Sequence, residues 1–138
     1  MIKEINSTEA YSILQKSENA VLIDVRSTME HEYVGHPVNA VHVPIKEPPG
    51  WEIRVDFINN VKSELAKKFP NIQNLPEIHI LLLCRSGKRS EQAALMLESA
   101  GYKNTINITN GFEGDKDVNG RRSVINGWRF NKLPWEQD

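Results

Sequence analysis

With a single cysteine in 138 residues, the chain has no internal disulfide to form, which suits a reducing cytoplasm. An excess of one charge sign is missing too: 17 basic residues stand against 18 acidic ones, a net charge of −1. Nucleic-acid binders are markedly basic, so that class is set aside, while a local cationic site is not. No apolar stretch approaches membrane-spanning length, and Met1-Ile2-Lys3-Glu4 lacks the charged-then-apolar pattern of a secretory leader. Internal repeats and low-complexity tracts are also absent. These absences leave one domain over 1–138, long enough for a sizeable core. It is expected in the cytoplasm, with no nucleic acid, membrane or cofactor.

The most informative stretch contains the lone cysteine: Leu82-Leu83-Cys84-Arg85-Ser86-Gly87-Lys88-Arg89-Ser90. An apolar run from Ile78 to Leu83, broken only by His79, leads into it, and a small-residue helical pattern from Ser90 to Ala100 leaves it. Strand, tight loop and helix N-terminus in that order aim backbone N–H groups and a helix dipole at one point. The dipole, with Arg85, Lys88 and Arg89, would favour an anionic sulfur there over a thiol of the usual pKa of about 8.5. Gly87 gives the loop the freedom to curl around its first residue. A buried inert cysteine is the competing explanation, but three cations so close would be costly to desolvate. The residues predict a nucleophilic thiolate in an anion-binding cradle.

Around this stretch strands alternate with helices. Asn6 and Glu9 make a reciprocal capping pair ahead of the stripe Ala10, Ile13, Leu14. Val21 to Val25 is the β-branched kind of run that a parallel sheet buries on both faces. Ser27 with Glu30 is a second capping box, opening a short helix that must end by Gly35 and Pro37. Val41 to Val43 reads as a strand. Phe57, Val61, Leu65 and Phe69 recur every four residues, predicting a helix from about Trp51 to Lys68. Gly101 should stop the helix that follows the loop, and Thr105 to Ile108 is the last clear strand. The alternation predicts an α/β sheet with mostly parallel strands. Ligands in such sheets bind beyond the carboxyl ends of the strands, where Cys84 sits. Turn-forming residues dominate 110–138, which predicts an irregular tail packed on the domain through Trp128 and Trp135. Asp115-x-Asp117-x-Asn119-Gly120 superficially matches the start of a calcium loop, but Asn126 stands where an acid is needed, so no metal is expected there.

Cys84-Arg85-Ser86-Gly87-Lys88-Arg89 resembles the active-site loop of rhodanese-type sulfurtransferases. Leu22-Ile23-Asp24-Val25-Arg26 is similar to that family's strand before its first long loop. Gly35-His36-Pro37 to Ala40, with Val43-Pro44, resembles its next segment, and Asn110-Gly111-Phe112 with Trp128 its closing motif. Asn39 replaces the usual glycine, a position Asn can fill because it accepts left-handed backbone. The acid before Gly35, whether Glu30 or Glu32, departs from the family spacing. The resemblance implies a three-layer α/β/α fold around a mostly parallel, roughly five-stranded sheet. It also implies attack by Cys84 on the outer sulfur of a small anionic donor, thiosulfate or a persulfide, leaving a cysteine persulfide for an acceptor thiol or a protein partner.

Under that reading Arg85, Ser86, Gly87, Lys88 and Ser90 bind the donor. Arg89 either assists catalysis or forms an ion pair holding the loop. Asp24 and Arg26 support the site, chiefly as a salt bridge at the strand-to-helix turn. His36 is expected to hydrogen-bond across its loop, and His79 to be a satisfied core histidine. None of His31, His36, His42 and His79 has metal-ligand spacing, so the metal expectation is none. The alternatives are an arsenate reductase or phosphatase-like oxyanion enzyme, and a persulfide carrier or binding module with a protein partner.

Overall fold

The computed structural model describes residues 2–138. Five strands, β1 (Lys3–Ile5), β2 (Ala20–Asp24), β4 (Val41–His42), β5 (His79–Leu83) and β6 (Asn104–Ile108), form one sheet in the order β1-β6-β5-β2-β4. Every pairing within it is parallel. Helix α1 (Ser7–Lys16) begins at the Asn6–Glu9 capping box, both reciprocal hydrogen bonds of which are present. Helices α2 (Phe57–Lys68) and α3 (Lys88–Ser99) complete the regular layers. A mixed α/β fold with a five-stranded parallel sheet is the expected architecture.

Alternation along β2 and β5 sorts the core into two. Val21, Ile23, Ile80 and Leu82 face α2 and α3, packing on Phe57, Val61, Leu65, Ala93, Ala94 and Leu97. Leu22, Leu81 and Leu83 face the other way, onto Ala10, Tyr11 and Leu14 of α1. Successive strand residues point to opposite faces, and β5, central and buried on both sides, is accordingly apolar from Ile80 to Leu83.

Three features depart from the sequence expectation. The tail is more than a surface appendage, because Phe112 and Trp128 are fully buried in the second core cluster. Its strand β7 (Trp135–Glu136) pairs antiparallel with β3 (His36–Pro37). Arg26 lies over the Phe112 ring, and Arg129 over both Phe112 and Trp135, which meet edge to face at 5.9 Å. Helix α2 starts at Phe57 rather than near Trp51. Residues 46–53 double back instead: Lys46 bridges Ile53, Arg54 N–H donates to Ile45 O, and Trp51 takes left-handed backbone at φ 58°. Finally, His79 is exposed at the start of β5, not a core histidine. Its neighbours Ile78 and Ile80 are buried, so only the His79 side chain turns outward where β5 begins.

Candidate active site

Cys84 follows β5 directly, and Gly87 caps α3 in left-handed backbone, φ 111°, which only glycine adopts without strain. The loop closes on its own sulfur. Gly87 N–H donates to Cys84 Sγ at 3.1 Å, and Ser90 Oγ lies 3.2 Å from the same atom. The tail grips the loop from outside: Phe112 N–H donates to Cys84 O, and the N–H groups of Glu113 and Gly114 to Arg85 O. In a trans peptide N–H and C=O point oppositely, so the N–H groups of Arg85 and Ser86 turn away from the tail. Gly111 makes this grip possible. A Cβ there would collide with the backbone of Cys84 and Arg85.

Of the predicted loop residues, Arg85 and Lys88 are exposed, Ser86 and Gly87 half-buried, and Cys84 and Ser90 buried. Arg89 is bound to Glu30 by two parallel hydrogen bonds of 2.7 and 2.9 Å. Glu30 in turn belongs to the Ser27 capping box at the head of a π turn, Glu30–Val34, with Ser27 Oγ donating at 2.9 Å. Burial pushes the Glu30 carboxyl up, but the bonds from Arg89 and Ser27 outweigh it and hold it below the ordinary range. Burial works against the Arg89 charge, and Glu30 more than restores it, aided by the negative field of Asp24.

Asp24 and Arg26 form a sealed pair beside this. Arg26 Nε and Nη2 donate to the two Asp24 oxygens at 2.9 and 2.7 Å, and Nη2 also to Gly35 O at 2.6 Å. His31 Nδ1 lies 2.8 Å from Asp24 Oδ2. Burial alone would raise the Asp24 carboxyl, yet the bonds from His31 and Arg26 carry it well below the usual carboxylate range. The pair ties the end of β2 to the π turn and so to the segment that carries Glu30.

His36 bonds across its loop, Nδ1 to His31 O at 2.7 Å. Nothing in their spacing announces that His36 and His42 stack on the two sides of the His31 ring, with ring centroids 3.8 and 4.3 Å away. Burial pushes the His42 imidazole down. Among the described residues, ligand atoms of His31, His36 and Asp138 lie within 4.8 Å of one another. The His31 and His36 rings are 5° from parallel, however, so their in-plane lone pairs run side by side rather than converge on one ion. In the tail, Asp115 and Asp117 spend their oxygens on turn closure: Asp115 accepts from Asn110 and Asn126, Asp117 from the N–H groups of Asn119 and Arg121.

Asn107 is the site residue that the sequence did not disclose. It is buried at the end of β6, and its side chain reaches both Ser90 and Gly87 O. Its place next to the loop follows from parallel pairing of β5 and β6, which puts Asn107 opposite Leu82.

The chain is similar to several known proteins. An uncharacterized protein of Rickettsia rickettsii is 37% identical over 138 residues, covering 98% of each chain. Thiosulfate sulfurtransferase GlpE of Haemophilus influenzae is 28% identical over 112 residues, 81% of this chain and 86% of the relative. The crystal structure of Rv0390 from M. tuberculosis superposes with a TM-score of 0.82 at 30% identity, covering 99% of this chain and 98% of that one. The family model described as the rhodanese-like domain matches residues 7–117, a span that takes in the cysteine loop, the paired arginines and the start of the tail that grips them. By that match and these shared folds, the chain belongs to the rhodanese-like domain family.

Proposed function

We propose that the protein is a sulfurtransferase that carries a sulfane sulfur on Cys84. The observation that carries this reading is the closure of the loop on Cys84 Sγ by the Gly87 N–H at the N-terminus of α3. In the first half-reaction the Cys84 thiolate attacks the outer sulfur of thiosulfate. The Sγ–S bond forms, the S–S bond of the donor breaks, and sulfite leaves with its electron pair. The resulting persulfide carries its charge one atom further out, where backbone N–H groups and the helix dipole can stabilise it. In the second, an acceptor thiolate takes the outer sulfur and Cys84 leaves as thiolate. Arg85 and Lys88, both exposed, meet the dianionic donor, while Ser86, Gly87 and Ser90 line the cradle. A small anionic donor suits this loop, and a protein thiol is a fitting acceptor; similarity to a thiosulfate sulfurtransferase supports the donor class.

Loop size argues against phosphate or arsenate chemistry. Cys84 to Arg89 is six residues, and Cys84 is only 2% exposed, so a single protruding sulfur suits it better than a tetrahedral oxyanion. Reacting atoms must approach to about 3–3.5 Å. Intact mass spectrometry tests the assignment: thiosulfate should add one sulfur atom to the parent, cyanide should remove it as thiocyanate, and Cys84→Ser should show neither step. An adduct of equal yield on the serine variant, or hydrolysis of aryl phosphates through Cys84 at a comparable rate, would overturn it.

A further inference from the structure

The carboxamide of Asn107 is used on both sides. Nδ2 donates to Gly87 O at 3.2 Å and to Glu4 Oε2 at 3.3 Å, and Oδ1 accepts from Ser90 Oγ at 2.6 Å. A peptide carbonyl and a carboxylate only accept, so the NH2 must face them and the amide has one orientation. The single hydroxyl proton of Ser90 is therefore committed to Asn107. What Ser90 presents to Cys84 Sγ, 3.2 Å away, is a lone pair. The Cys84 thiol must then be the donor, and the three bonds run in one direction, from Cys84 through Ser90 and Asn107 to Glu4, each polarising the next.

We propose that Asn107 is the positioning residue of the sulfur site, holding the Ser90 hydroxyl and the Gly87–Lys88 peptide so that Sγ is favoured as a neutral atom. A thiol satisfies the chain by donating to Ser90. A persulfide is tolerated, because Sγ, though it has no proton to donate, then carries no charge for the Ser90 lone pair to repel, and the negative charge sits on the outer sulfur. A bare thiolate keeps the Gly87 N–H as a donor but is served only in part. It faces the Ser90 lone pair, and turning the hydroxyl toward it strands Asn107 Oδ1, buried, without a donor. Asn107 thus biases the resting cysteine toward thiol and the loaded cysteine toward persulfide. The bias for a persulfide rests on the sulfur-transfer reading; the bias for a thiol does not.

The other charged groups around Cys84 are Arg85, Lys88 and Arg89 of its own loop, Asp24 and Arg26 at the end of β2, Glu30 on the π turn, and Glu91 on α3. A test must separate the hydrogen-bond chain from this field. The rate of iodoacetamide alkylation, followed against pH, reports the one cysteine. Asn107→Leu frees the Ser90 proton to turn to the sulfur, so alkylation at neutral pH should rise about ten- to a hundredfold, the worth of one hydrogen bond to an anion, and the profile should move to lower pH. Adding Ser90→Ala should abolish that gain, which a merely structural role for Asn107 would not do. Glu4 is exposed, so Glu4→Ala, which removes the acceptor as well as the charge, should leave the fold intact. It should speed alkylation more than Glu91→Ala, which removes the same charge from the same surface hollow without touching the chain. Alkylation of a folded Asn107→Leu no faster than the parent overturns the proposal, as does an equal response of the two glutamate variants. Should thiosulfate load no sulfur on the parent, the transferase reading fails while the alkylation series still decides the role of Asn107.

Discussion

Two arginine–carboxylate pairs flank the cysteine loop, and they are built for different duties. Arg26 and Asp24 are two residues apart in sequence and wholly buried, with side chains 0% exposed. Arg89 and Glu30 are 59 positions apart, and their side chains remain 20% and 18% exposed. Both are bidentate. The first cannot open without stranding a charge in the core, so it serves as a fixed post at the end of β2. The second borders water, where an incoming anion can compete with Glu30 for the guanidinium at modest cost. Identical chemistry thus yields a sealed strut in one place and a pair at the water boundary in the other, and depth makes the difference.

The largest effect should come from breaking the sealed pair. Asp24→Leu leaves Arg26 buried and charged beside Phe112, and unfolding in urea should show a loss of about 3–5 kcal/mol. A loss no larger than that of a surface substitution would mean that water reaches Arg26.

A smaller and more discriminating effect is expected at the second pair. If Arg89 meets the donor, Arg89→Ala should raise the KM for thiosulfate and Glu30→Ala should lower it, since the latter frees the guanidinium. If the pair only props the loop, both changes should depress turnover together. Steady-state kinetics at low salt separates the two, and opposite movements are the expected result. Each variant should also cost about 1–3 kcal/mol of stability, because a partly buried group loses its partner.

The smallest effect concerns the exposed cations. Arg85→Ala and Lys88→Ala should each raise the KM for a dianionic donor about two- to fivefold at low salt, as fits exposed charges worth less than about 1 kcal/mol. The difference should fade at about 1 M salt, where the Debye length shrinks to about 3 Å. Parent-like values at low salt would leave the backbone as the donor's main contact.

Much of this arrangement could be read in advance. The caps at Asn6 and Ser27 depend on residues three apart, and the strand–loop–helix order around Cys84 needs no distant contact. The left-handed position of Asn39, φ 69°, was likewise legible from residue type. Short elements were not. Strand β1 has three residues and β7 two, too few to show any periodicity, and both exist because a partner strand supplies hydrogen bonds. Apolar spacing alone carried the α2 prediction back to Trp51, where the antiparallel bridge of Lys46 and Ile53 takes precedence over helix.

By itself the sequence determined the place of the lone cysteine, the curl of its loop and the alternation that sets it at a strand end, because these are local properties of side chains and backbone. Tertiary structure decided who partners whom. Only the parallel sheet brings Asn107 to the back of the loop, and only the folded turn after β2 carries Glu30 to Arg89. The tail could be seen as rich in turns, yet its grip on Cys84 O and Arg85 O appears only once Phe112 and Trp128 are buried. Hydrogen bonds and ion pairs are short-ranged, so which residues form them depends on where the packed core leaves each chain segment.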